Sequence, residues 1–262
     1  MIDVEELLKN GNKDTFDIDV KPCEIVVFQD NQILSTNHDE KCLTLYDHNL
    51  NFVKRIDRIN GEIFHPLGIA INFEEKRLYI SDNYNHRIIM TDLDFNFIRS
   101  VGSKGTEYSK FHGPYDICLI SNNLYICDFN NNRIQIYSKN LELIKSVKLD
   151  YQPWKVKGTN SIICVESNSP CGINFYNLND FNLIQNYDHG LCRISQINSN
   201  IYEYCSKTKT IYCYDERANV KEEISLNVTN DSLAGVWDGL FIQYNGFILM
   251  TSDSKKKIIK FS

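Results

Sequence analysis

No stretch of this sequence approaches the roughly 18 apolar residues that a membrane helix needs. Its first residues, Met1-Ile2-Asp3-Val4-Glu5-Glu6, form neither the basic nor the apolar segment of a secretory leader. No two of its nine cysteines stand at the C-x-x-C spacing of a zinc or redox site; they are scattered at 23, 42, 118, 127, 164, 171, 192, 205 and 213. Most lie in apolar, strand-like runs such as Tyr125-Ile126-Cys127, which suits small buried hydrophobes in a reducing, intracellular compartment. Positive charge is also in deficit. Lys plus Arg number 28 against 34 Asp plus Glu, a formal charge of −6. That argues against a protein-wide field for nucleic acid, though not against a local basic patch. Neither a Ser-His-Asp order, nor a phosphate-cradling glycine loop, nor a paired-carboxylate motif is recognisable, so no catalytic residue and no cofactor is assigned.

What is present is repetition, in a chain with the 42% hydrophobic content of a globular protein. Leu45-Tyr46-Asp47, Met90-Thr91-Asp92, Ile136-Tyr137-Ser138 and Cys213-Tyr214-Asp215 begin segments that align without gaps. Phe175-Tyr176-Asn177 begins one with a single insertion, and Lys260-Phe261-Ser262 begins a sixth. The spacing averages about 43 residues, with about four short β-rich runs per unit, and this is the period of a β-propeller blade. The expectation is an all-β fold: a six-bladed β-propeller forming one domain over 1–262. The blades fall at roughly 22–57, 66–102, 114–148, 153–188, 191–225 and 235–262. The last lacks a fourth strand, and the alternating Thr15-Phe16-Asp17-Ile18-Asp19-Val20 supplies one, so a closing strand is placed at roughly 14–20. Residues 1–13 are read as an N-terminal helix or arm, capped at Asp3 and ended by Gly11.

Two units carry a closer motif. One reads Phe64-His65-Pro66-Leu67-Gly68 and then Leu78-Tyr79-Ile80-Ser81-Asp82-Asn83-Tyr84-Asn85-His86-Arg87-Ile88. The next reads Phe111-His112-Gly113-Pro114-Tyr115 and then Leu124-Tyr125-Ile126-Cys127-Asp128-Phe129-Asn130-Asn131-Asn132-Arg133-Ile134. These units resemble the NHL repeat, named for its Asn-His-Leu signature, with Arg here at the third position. The resemblance implies a propeller, and a family that mixes enzymes, RNA binders and protein-interaction modules. In the peptide-amidating lyases that resemble this fold, zinc-binding histidines follow the proline that opens a blade. Here Leu67, Tyr115 and Trp154 stand at those places, so no metal site is assigned.

Asp82/Arg87 and Asp128/Arg133 recur at one spacing, each Asp ending a strand and each Arg opening the next, and read as structural ion pairs that fix a turn. Aligning the blade starts places Cys23, Leu67, Tyr115, Trp154, Cys192 and Trp237 in one ring around the axis. The following ring holds Glu24, Gly68, Asp116, Lys155, Arg193 and Asp238. The first ring is apolar and aromatic and the second is charged. Such a mouth plugs the channel, anchors a peptide, stacks a base or takes a small molecule. Tyr115, Trp154, Trp237, Asp116, Lys155 and Arg193 are therefore the candidate partner-binding residues, and Lys255, Lys256 and Lys257 the candidate RNA patch. The expected function is a non-enzymatic, monomeric scaffold for protein partners, with no membrane partner. An RNA-binding propeller is the first alternative, and a degenerate metal-dependent lyase or hydrolase the second.

Overall fold

The computed structural model describes residues 13–17, 22–190, 192–197, 200–205, 207–208, 210–225, 241–244, 247–252 and 257–261. The chain is an all-β propeller. Five blades, not six, are each cut from one unbroken stretch of chain, and each is a four-stranded antiparallel meander. Blade one runs Glu24–Val27, Ile33–Asn37, Cys42–Tyr46 and Phe52–Ile56. Blade two runs Pro66–Asn72, Arg77–Asp82, Arg87–Asp92 and Phe97–Val101. Blade three runs Pro114–Ile120, Asn123–Asp128, Arg133–Ser138 and Leu143–Lys148. Blade four runs Pro153–Gly158, Ile162–Asn168, Cys171–Asn177 and Leu183–Tyr187. Blade five runs Cys192–Ile197, Asn200–Cys205, Thr210–Tyr214 and Val220–Ser225.

The remaining four-stranded sheet is composite. Phe241–Tyr244, Phe247–Ser252 and Lys257–Phe261 pair in order, and Lys13–Asp17 adds outside them with Lys13 opposite Phe261 and Asp17 opposite Lys257. The expected exchange of a strand between the chain ends is thus present, over 13–17 rather than 14–20. The first strands touch in a cycle, blade one to two, three, four and five, then Phe241–Tyr244, and back to blade one. The expected N-terminal helix or arm lies outside the described residues, Lys13 excepted.

Strand alternation divides each blade between its two neighbours. In blade two, Ile69, Leu78, Ile80 and Ile89 pack with blade one, whereas Ala70, Tyr79, Ile88 and Met90 pack with blade three. Blade three repeats this: Ile117, Leu124, Ile126 and Tyr137 face blade two, and Cys118, Tyr125, Ile134 and Ile136 face blade four. The core is therefore a set of layers between blades. The described cysteines are free thiols and most are buried; Cys118, Cys127 and Cys164 lie within these layers, where burial pushes Cys118 up to about 12.

The repeated segments found in the sequence are the turns between third and fourth strands. Asp47 Oδ1 accepts the N–H groups of Asn49 and Asn51, Asp92 those of Asp94 and Asn96, and Asp215 those of Arg217 and Asn219. Ser138 Oγ does the same for Asn140 and Glu142. The residue before the second of these donors lies at positive φ, as at Leu50, Phe95, Leu141 and Ala218. The polar side chain thus offsets the cost of a left-handed non-glycine residue by satisfying two backbone donors.

At the other end of the blades the two ion pairs form. Asp82 Oδ2 accepts from Arg87 Nε at 2.8 Å, while Oδ1 accepts from His65 N at 2.8 Å. Asp128 Oδ2 accepts from Arg133 Nε at 2.6 Å, and Oδ1 from His112 N at 2.8 Å. Each carboxylate thereby ties the second–third strand turn to the loop that leads into its own blade. Arg133 extends the clamp through the carbonyls of Thr106, Glu107 and Lys110. Because the Asp128 side chain is fully buried and that of Arg133 only 9% exposed, removing one partner strands a charge, at about 3–5 kcal/mol. Asp128→Asn is expected to lower the melting temperature by several degrees; an unchanged melting curve would show that the pair does not hold the blade.

Candidate functional site

The starts of the first strands and the second–third turns lie at one end of the blades, and the axis opens there. Cys23, Leu67, Tyr115 and Trp154, from four successive blades, line a bowl of about 120 Å3 with Glu24, Gly68, Asp116 and Lys155 beneath them. Four of the six aligned blade starts thus line one bowl. The side chain of Cys192, together with Trp237 and Asp238, lies outside the described residues, as do Lys255 and Lys256; Lys257 begins the strand Lys257–Phe261.

Aromatic rings cluster on one side of the bowl. Tyr115 and Trp154 stand 4.7 Å apart between centroids, and Phe129 lies 4.6 Å from Tyr115 and 5.6 Å from Trp154. All three are half-buried. The Arg193 guanidinium lies over the Trp154 ring, 5.4 Å from its centroid. Phe129 was not anticipated, because it sits in the turn after Asp128 and not on a first strand; its signal was a large aromatic within an Asn-rich turn.

The floor is a buried ion network. Lys155 Nζ lies 2.9 Å from Glu24 Oε2, and Lys157 Nζ lies 3.1 Å from Glu24 Oε1 and 3.0 Å from Asp116 Oδ2. Glu24 is 4% exposed, Asp116 2%, Lys155 6% and Lys157 8%. The strands carrying Glu24 and the two lysines are three steps apart in either direction around the ring. Their side chains therefore meet across the axis and close the channel. Below them a second pocket, lined by Ile25, Ile69, Ile117, Lys157 and Gln196 among others, continues the channel toward the opposite end. Burial alone would raise the Glu24 carboxyl, but the two ammonium groups outweigh it and hold it below the usual range. Burial dominates at Asp116 and pushes it up, against the pull of Lys157. Asp116 Oδ2 also accepts from Val156 N at 2.9 Å, while its Oδ1 accepts nothing. Arg193 pairs with Glu166 at 2.6 Å, so the second ring is charge-compensated among its described members and their partners.

Lys157 and Glu166 were missed. Lys157 stands two residues beyond Lys155 and so shares its face of the strand, a spacing that pointed to it. A further set joins neighbouring blades: Thr36 Oγ1 accepts from Glu24 N and donates to Leu67 O, and Ser81 Oγ accepts from Gly68 N and donates to Tyr115 O.

Five of the six histidines lie toward the mouth, in these turns and loops. His38 stacks with His65 and Tyr84, His86 meets His112 edge-on, and His189 hydrogen-bonds the buried Glu203. Among the described residues no group of three or more His, Cys, Asp or Glu is arranged to hold a metal ion, and no helix is long and apolar enough to cross a membrane.

A family model described as the NHL repeat matches residues 111–137, the start and first turns of blade three. Residues 111–137 thus carry an NHL repeat, set within a β-propeller. The chain's similarity to NHL repeat-containing protein 2 is 29% identity over 103 residues in the Gallus gallus protein, covering 35% of this chain and 14% of that one. For the Bos taurus protein it is 32% over 90 residues, covering 30% and 12%. The chain therefore aligns with about an eighth of the length of these relatives. Among solved structures, a streptogramin B lyase superposes with a TM-score of 0.63 at 13% identity, covering 95% of this chain and 96% of that one. Virginiamycin B lyase from Staphylococcus aureus gives 0.60 at 10%, covering 95% and 98%. The β-propeller domain of Myceliophteria thermophila Cps50 (Swd1) gives 0.60 at 8%, covering 96% and 99%. At these identities the likeness is one of fold.

Burial lowers the pKa values of His65 and His86 from 6.5. A lowered folded-state value means that the neutral ring stabilises the fold above pH 6.5, and that this stability is lost as pH falls through that value toward the folded one. His86 Nδ1 accepts from Gly113 N at 3.0 Å and so must be unprotonated in the bond. Blade three carries Asn132 at the equivalent place, at φ 50° against 56° for His86. His86→Asn is expected to keep the turn and to give a shallower fall of melting temperature on acidification; identical slopes would contradict this.

Proposed function

We propose that this NHL-repeat propeller is a non-enzymatic, monomeric protein-interaction scaffold whose partner docks at the Tyr115/Trp154 mouth. The ring in this reading has six blades, the composite sheet serving as the sixth. Its support is the cyclic contact of the first strands, in which Phe241–Tyr244 bridges blade five and blade one. The observation that carries the function is the half-exposed trio Tyr115, Phe129 and Trp154 set over a closed floor. Exposed aromatics in a shallow concavity are typical anchors at interfaces, where such side chains contribute most of the binding energy. Among the described residues, the carboxylates nearest the bowl are engaged by lysines, and no acid–base pair of those residues faces solvent there. Relatives of this family act in several ways, so the activity rests on the mouth and not on the fold.

The test is capture from a lysate of the native source, with and without RNase, by the wild-type chain and by Tyr115→Ala/Trp154→Ala. Partners that survive RNase and fall at least about tenfold on the double variant are expected, as loss of two anchors implies. Undiminished capture by a folded double variant removes the mouth assignment, and partners lost with RNA turn the reading to nucleic acid.

A further inference from the structure

The arginine clamp of blade three has no counterpart in blade four, and a cavity stands in its place. The strand registers fix the comparison. In blade three Pro114 faces Asp128 and Asp128 faces Arg133; in blade four Pro153 faces Ser167 and Ser167 faces Gly172. Asn168 N donates to Gln152 O as Asn130 N donates to His112 O, so the loops leading into the two blades align as well. Ser167 therefore replaces Asp128, Gly172 replaces Arg133, and Asn174 replaces Gln135. In blades one, two and five the place of Gly172 holds Cys42, Arg87 and Thr210. Of these five blades, blade four alone brings no side chain there.

The charge around the place is also reversed. By the same alignment Asp150 stands where blade three has Lys110, and Asp188 where it has Lys148. In blade three the Arg133 guanidinium is held by Asp128 and by the carbonyls of Thr106, Glu107 and Lys110, with Gln135 donating to Lys110 O and Asp128 Oδ2. In blade four a cavity of about 270 Å3 lies there, lined by Asp150, Ser167, Gly172, Asn174, Tyr187 and Asp188 among others. A cavity of roughly 150 Å3 holds one benzene ring, so this one has room for a guanidinium and its methylene stem. Both acids are exposed, and no lysine, arginine or histidine is among the described residues that line it. The chain cannot fill the cavity from Gly172 itself, because a Cβ there would stand 2.7 Å from the Tyr187 carbonyl oxygen.

A cation that completes the clamp has to come from another molecule. A planar guanidinium with five donors suits two carboxylates and a side-chain amide better than a point-charge ammonium does. Free arginine would bring its own carboxylate beside Asp150 and Asp188, which favours an arginine within a protein chain.

We infer that the blade-four cavity receives the guanidinium of an arginine exposed on a partner protein, in the place that blade three fills with its own Arg133. The site shares no lining residue with the Tyr115/Trp154 bowl and does not rest on its assignment.

The experiment titrates the intact chain with N-acetylargininamide, the uncharged isostere N-acetylcitrullinamide, N-acetyllysinamide, free arginine and calcium chloride, following the Cys171 and Gly172 amide signals by NMR. The arginine amide is expected to shift both at millimolar concentration. The citrulline amide should bind at least about tenfold more weakly, as loss of charge-assisted hydrogen bonds implies, and the lysine amide and free arginine should also bind more weakly. Asp150→Asn/Asp188→Asn changes two exposed side chains; it should retain the melting temperature and abolish the shifts. Absence of any arginine-amide shift, equal binding of the citrulline or lysine amide, or undiminished binding by the folded double variant overturns the inference. Tighter binding of free arginine overturns it in favour of a small molecule, and shifts at lower concentrations of calcium overturn it in favour of a metal ion. Should the double variant unfold, the contrast of arginine with citrulline decides, since it needs no substitution. Tyr115→Ala/Trp154→Ala is expected to titrate as the wild type does, so the mouth reading and this one stand or fall separately.

Discussion

A propeller leaves its axis as the one place where every blade converges and none fills the space. Here that space is crossed by Glu24 reaching Lys155 and Lys157, with Asp116 holding Lys157 from the side. Desolvating four charged groups costs several kcal/mol per ion, and such networks are often no more stabilising than a hydrophobic equivalent. What this one adds is geometry. Charges on opposite sides of the ring pair only when the blades are correctly placed around it. A misregistered blade would leave a buried charge without a partner, which costs far more than a lost apolar contact. The network therefore acts as a check on closure, and the depth of the mouth follows from it, since the floor lies where these side chains meet.

The layers between blades follow from alternation alone. Each strand sends successive side chains to opposite neighbours, so one apolar run such as Leu78-Tyr79-Ile80 serves two interfaces. This explains why the fold was legible in the sequence: the period, the four strands per unit and the turn residues all arise within one blade. The Asx turns at Asp47, Asp92 and Asp215 are local too, and local requirements recur wherever the blade recurs. The hairpin Arg58–Ile59 with Glu62–Ile63 lay outside the repeat and was overlooked, although its Asn60-Gly61 turn at positive φ is a strong short-range signal. The strand exchange that completes the composite sheet was readable because a lone alternating segment near the start matched a lack near the end.

The site was legible only in part. Aligning blade starts brought Cys23, Leu67, Tyr115 and Trp154 to one mouth because equivalent positions in a closed array share a radius and a height. Alignment within a repeat carries no information about contacts across the axis, so the pairing of Glu24 with Lys155 and Lys157 was out of reach. Phe129 escaped for a related reason, since it enters from a turn whose length and conformation differ between blades. Thr36 and Ser81 escaped because a hydroxyl in a strand has many ordinary uses; only its two partners, one in each blade, reveal the link.

The residues that make the repeat recognisable are consumed in building the blade. Asp82 and Asp128 hold the loops into their own blades, Arg133 gathers three carbonyls, and His86 takes a backbone donor of the following loop. A side chain saturated by such bonds is not available to a ligand. What varies between blades is the residue after the opening proline, which is Leu67, Tyr115 and Trp154 in turn. The scaffold fixes where those side chains stand, and leaves their identity free. The same logic explains why a motif match says little of the partner: its recurring bonds point inward, along the blade, while Tyr115 and Trp154 stand at a place where the residue differs from one blade to the next.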